Sequence, residues 1–105
     1  MKKEEQEKIN EICENLYIDA MSEFSRNLPA RKLRNCQAYV YESANYYFLR
    51  SYNTIVAIID KESDTLIDIL RVVFGYTATS AQHITKFNHD YCKGNWGCKY
   101  RFTAR

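Results

Sequence analysis

Thr54-Ile55-Val56-Ala57-Ile58-Ile59 is a continuous apolar run rich in β-branched residues. It is short for a helix and apolar on both sides, so it reads as a central strand covered on both faces. Working outward, Asp60-Lys61-Glu62-Ser63-Asp64 is a polar hairpin loop. On the other side, Gln37 to Glu42 and Tyr46 to Tyr52 read as two more strands, joined by a turn at Ser43-Ala44-Asn45. The first of these alternates, with Tyr39 and Tyr41 on one side and Ala38 and Val40 on the other. Thr65 to Tyr76 is ambiguous, because Leu66, Ile67, Ile69, Leu70 and Val73 also fit a helical stripe with Ser63 as its cap. Its β-branched content, the hairpin loop before it and Gly75 near its end favour a strand.

Helices are expected on either side of this block. From Lys2 to about Asn27, steps of about 100° per residue bring Ile9, Ile12, Cys13, Leu16, Tyr17, Ala20 and Phe24 into one arc. Cys13 sits near the middle of that arc and reads as a small core hydrophobe. Asn27-Leu28-Pro29 ends the helix, since proline disfavours helical geometry in the residue before it. A basic link with Arg31, Lys32 and Arg34 follows. Toward the C-terminus, Thr79-Ser80-Ala81-Gln82 has the form of a capping box opening a helix from Ser80 to about Tyr91, with Ile84 and Phe87 facing the core. Lys93-Gly94-Asn95-Trp96-Gly97 is a glycine loop, and Cys98 to Thr103 alternates Lys99 and Arg101 against Tyr100 and Phe102, as a half-buried strand does.

The expected fold is a single α+β domain. An amphipathic helix (1–28) packs on an antiparallel sheet of four to five strands (36–76). A second helix, the cysteine loop and a final strand (79–105) follow, with zinc as a candidate staple. At 105 residues the chain is sized for one domain, and its 46% hydrophobic and 27% charged residues argue against wholesale disorder. The opening MKKEEQEKINE contains no apolar run that could serve as a secretory signal, so a cytoplasmic protein is expected. Cysteines in a reducing cytosol are expected as free thiols or metal ligands.

Net charge is only +2 but unevenly spread. Glu4, Glu5, Glu7, Glu11, Glu14, Asp19 and Glu23 make the first helix acidic, while Lys86, Lys93, Lys99, Arg101 and Arg105 make the other end basic. Either end could be a solvated face or a docking surface for an oppositely charged partner.

The chemistry written most plainly is the run from His83 to Cys98, HITKFNHDYCKGNWGC. Thiolate and imidazole are zinc ligands. His89 and Cys92, three apart near a helix end, can meet Cys98 across the glycine loop, with Cys36, Asp90, water or, in an irregular helix, His83 as the fourth ligand. The spacing matches no zinc-finger pattern; reduced thiols or a Cys92–Cys98 disulfide compete with the metal. Trp96 reads either as a lid on that site or as an anchor for a partner. No phosphate loop, dinucleotide fingerprint or HExxH is present, and His89 with Cys92 lacks an evident oxyanion donor, so a non-enzyme is expected.

SYNTIVAIID (51–60) and RVVFGYTATSAQHITKF (71–87) resemble a family of small proteins of phages and mobile elements in Gram-positive bacteria. The positions that carry the resemblance are Tyr52, Thr54, Val56 and Ala57, then Thr77, Thr79, Ser80, His83, Ile84 and Phe87. The resemblance implies a phage-encoded accessory protein working in the host cytoplasm. Proteins of that origin and size include non-catalytic inhibitors of CRISPR effectors of the Cas9 type, and Glu4, Glu7, Glu11, Glu14 and Trp96 are the expected partner-binding residues. The alternative is a nucleic-acid-binding protein that uses Arg31, Lys32, Arg34, Lys99 and Arg101 beside tyrosines. A zinc hydrolase ranks third.

Overall fold

The computed structural model describes residues 3–34, 37–73, 75, 77–92 and 99–101. Helix α1 (Lys3–Glu23) leads into strands β1 (Ala30–Lys32), β2 (Ala38–Glu42), β3 (Tyr46–Ser51), β4 (Thr54–Asp60) and β5 (Thr65–Asp68). The short helix α2 (Leu70–Val73), helix α3 (Ala78–Tyr91) and strand β6 (Lys99–Arg101) complete the order. The strands form one sheet in sequence order, antiparallel from β1 to β5, with β6 added parallel to β5. A parallel neighbour cannot follow a tight turn, and the chain makes the required crossover through α2 and α3. This is an α+β fold.

The alternation of the strands sorts the core into two layers, one on each face of the sheet. On one side Tyr41, Phe48, Ile58 and Ile67 pack with Cys13 and Ala20 of α1, with Leu16, Tyr17 and Phe24 partly buried against them. On the other, Val40, Leu49, Ala57, Ile59 and Leu66 pack with Ile84 and Phe87 of α3. The expected division of Tyr39 and Tyr41 from Ala38 and Val40 is therefore the division between the two cores. Strand β4 is internal to the sheet, and Val56 through Ile59 are at most 1% exposed. Its doubly apolar composition is what that position demands. The pairing of β3 with β4 slips between Leu49 and Arg50, opposite Ala57 and Ile55 respectively, which leaves Val56 as the extra residue of a bulge.

Four expectations change in detail. Ile12 is 42% exposed, because the buried stripe centres on Cys13 and Ala20 and Ile12 lies about 100° of helix rotation from Cys13. The basic link is partly strand: β1 is an edge strand whose residues are all exposed, and charge on an edge blunts pairing with other chains. The segment after the hairpin loop is a strand only to Asp68, whose Oδ1 accepts the Leu70 backbone N–H at 3.1 Å and so starts the helical turn of α2. Helix α3 begins before the expected box: Thr77 is its N-cap, with Oγ1 accepting from the Ser80 N–H at 3.2 Å.

At its other end α1 is clamped to the β2–β3 turn. Glu23 accepts from the Ser43 hydroxyl at 2.9 Å and from Asn45 Nδ2 at 2.9 Å. Among the described residues no helix is long and apolar enough to cross a membrane.

Candidate functional site

Glu4, Glu7, Glu11 and Glu14 follow one another at intervals of three and four, which on a helix places them along one side. The structure turns that stripe into the wall of an open cleft of about 700 Å³, lined among the described residues by these four glutamates and Lys8. Glu4, Glu7 and Glu11 are exposed and Glu14 is half-buried. Helix α1 also packs beside β6, whose Tyr100 joins the core under the helix. The acidic helix and strand β6 are thus neighbours in the fold. Trp96, the fifth expected partner-binding residue, lies outside the described residues.

Of the expected metal ligands, His89, Cys92 and the alternatives His83 and Asp90 are among the described residues. Cys36 and Cys98 lie outside the described residues. His89 is exposed, and its Nδ1 lies 3.2 Å from Asp90 Oδ1 and 3.4 Å from Arg34 Nη2. Asp90 is in turn gripped by Arg34, which donates through Nε at 2.8 Å and Nη2 at 2.6 Å. The Arg34 fork, with help from His89, holds the Asp90 carboxyl down at about 2. Cys92 instead closes the core on the α3 side at 4% exposure, where burial first and the charge of Asp64 second push its thiol up to about 11. Cys92 still donates its N–H to Asn88 O at the end of the helix, but its side chain is buried in the core while that of His89 is exposed and turned to Asp90 and Arg34. Among the described residues no group of three or more His, Cys, Asp or Glu side chains is placed to hold a metal ion.

His83, the alternative ligand, points into the sheet. It is 4% exposed, with Nδ1 2.9 Å from the Ser51 hydroxyl, which lies 2.9 Å from the Ser80 hydroxyl. Burial, and to a lesser degree Lys86, lowers its pKa below the ordinary 6.5. The three side chains tie α3 to the end of β3 through a buried polar link, and Ser51, at 1% exposure, is sealed beneath it. Sequence reasoning passes over Ser51 and Ser80 as chemistry because their meeting depends on how α3 lies across the sheet.

These two sites contribute to the response to acid. His83 binds its proton more weakly folded than unfolded, so its contribution should decline as pH falls through 6.5. Asp90 is the opposite charge type: its contribution is present above 3.8 and should be lost as pH falls toward 2. Arg34 is 46% exposed, so solvent screening reduces this second step to about 1 kcal/mol. Urea unfolding across pH should show both steps, with Arg34→Ala shrinking the lower, to which the lowered Glu23 carboxyl also contributes, and His83→Gln removing the upper.

The expected basic surface is only partly free. Arg31 lies 3.7 Å from Glu42, Arg34 is held by Asp90, and Lys32 is exposed. Lys99 and Arg101 belong to β6. One further cation, Arg50, escapes sequence reasoning. Its only hint is a charge at the parity of Tyr46 and Phe48, in a strand otherwise apolar on that side.

No curated protein and no solved structure matches the chain. The model of a family of unknown function, DUF8033, matches residues 23–104, from the last residue of α1 onward. With most of its length matched, the chain belongs to that family.

Proposed function

We propose that this is a non-catalytic binding protein that presents the glutamate stripe of α1 to a basic, nucleic-acid-binding surface of a host defence nuclease, of the CRISPR effector class. The observation that carries the reading is the alignment of Glu4, Glu7, Glu11 and Glu14 along one cleft. A row of carboxylates on a rigid helix resembles a phosphate backbone in charge spacing. Complementary fields of this kind raise association rates and exclude the natural ligand. The stripe lies ahead of residue 23, where the family match begins, so the reading concerns this chain's own N-terminal helix.

The test is inhibition of target-DNA binding by a guide-loaded effector of the Cas9 type, measured against added protein at several salt concentrations. Inhibition should be strongest at low salt. The triple variant Glu4→Lys, Glu7→Lys, Glu11→Lys should keep its melting temperature, since all three residues are exposed, yet associate at least about tenfold more slowly. Equal inhibition by the folded variant, or no binding of the wild-type protein to the effector, would defeat the proposal.

A further inference from the structure

Arg50 stands on the α1 side of the sheet, at the bulge between β3 and β4. Its cross-strand neighbours are Tyr39 and Ile55. The guanidinium carbon sits 5.0 Å from the centre of the Tyr39 ring and 5.6 Å from that of Tyr41. Such stacking fixes the plane of the group and leaves its edge to donate. Nε is buried with no acceptor. Arg50 as a whole is half-buried, and no hydrogen bond from its terminal nitrogens is present among the described residues. Ion pairs engage Arg31 and Arg34 elsewhere, but Arg50 has none among the described residues. A bulge is the device by which a strand re-aims a side chain, and here it adjoins a cation with a pre-set orientation and no counter-charge among the described residues.

We propose that Arg50, on its floor of Tyr39 and Tyr41, is a recognition site for a carboxylate on a protein partner. Two N–H groups at the end of a planar fork match the two coplanar oxygens of a carboxylate. Arginine and tyrosine are also the residue types in which interface binding energy concentrates. A nucleic-acid phosphate fits less well. A strand of phosphates calls for several free cations along a path, whereas among the described residues the one exposed cation that strand register sets beside this site is Lys32, opposite Tyr39, and Arg31 and Arg34 are committed to Glu42 and Asp90. The site lies within the residues shared with the family and away from the stripe of α1, so it stands or falls independently of the nuclease reading.

The probe is the blocked tripeptide acetyl-Asp-Glu-Asp-amide, titrated into the full chain while the ring signals of Tyr39 and Tyr41 are followed by NMR. A parallel arm uses a thymidine hexanucleotide. The wild-type protein should show saturable ring shifts with the peptide in the millimolar range. Arg50→Gln should abolish them, and Arg50→Lys, which keeps the charge and loses the fork, should weaken binding about threefold or more. Melting curves of both variants establish that they are folded. A structural role alone would alter melting and leave the wild-type titration flat. Flat wild-type shifts, unchanged shifts in folded Arg50→Gln, or a stronger response to the hexanucleotide than to the peptide would overturn the assignment.

Discussion

Phe48→Ala should cost about 3–5 kcal/mol of unfolding free energy, the range for removing a buried aromatic ring from a core that cannot collapse around the gap. Phe48 is 0% exposed, in the middle of β3 between Tyr41 on β2 and Ile58 on β4. Phe24, just past the end of α1, meets it edge to face at 5.1 Å and meets Tyr41 at 5.3 Å. The cluster therefore fastens the N-terminal helix to the sheet. Removing its central ring takes away contacts on three strands and the helix together, and the flanking strands are held too firmly by their ladders to close the space. Urea unfolding followed by far-ultraviolet circular dichroism gives the number. A loss below about 1 kcal/mol would mean that the α1 layer packs more loosely than described.

A substitution of the opposite sign is expected on the other face. Asn88 is 0% exposed on α3, and neither its Oδ1 nor its Nδ2 has a hydrogen-bond partner among the described residues. Enclosing an amide without a partner costs about 1–3 kcal/mol, and replacing it by an apolar group of similar branching removes that cost. Asn88→Leu should therefore raise stability by about 1–3 kcal/mol, read as a higher urea midpoint with an unchanged slope. Destabilisation by a similar amount would show that the pocket is too tight for the larger side chain or that an enclosed water already meets the amide.

The legible parts of the fold are those set by local pattern. Val56 to Ile59 read as a strand buried on both faces because the run is short and β-branched, and the alternation in β2 divides its side chains between two sides before any contact is known. The Asp60–Asp64 turn and the burial of Cys13, Ile84 and Phe87 are legible for the same reason. What is hidden depends on tertiary context. Arg31 and Lys32 look like a linker because an edge strand has no need of apolar side chains. Asp68 ends a strand by capping a helical turn, a role its carboxylate suits but one that the β-branched Ile67 and Ile69 on either side of it disguise as continuing strand. Thr77 rather than Thr79 caps α3, and both are threonines near the same start.

The candidate sites divide in the same way. The glutamate stripe is legible from spacing, since a helix converts intervals of three and four into a line. The pairing of His89 with Cys92 is legible from their spacing of three, but the sequence does not announce that the thiol is buried in the core while the imidazole faces Arg34 and Asp90. Arg50 depends on a register slip between two strands, which no periodicity announces.

The parallel placement of β6 also bears on how the molecule comes together during synthesis. Each hairpin from β2 to β5 can zip as soon as its second half leaves the ribosome, because the partners are close in sequence. Strand β5 is different: its outer ladder waits until α2 and α3 have emerged and β6 follows them. Throughout that interval Leu66 and Ile67 border an open edge, and a nascent chain arrested there is the form most inclined to pair with its neighbours.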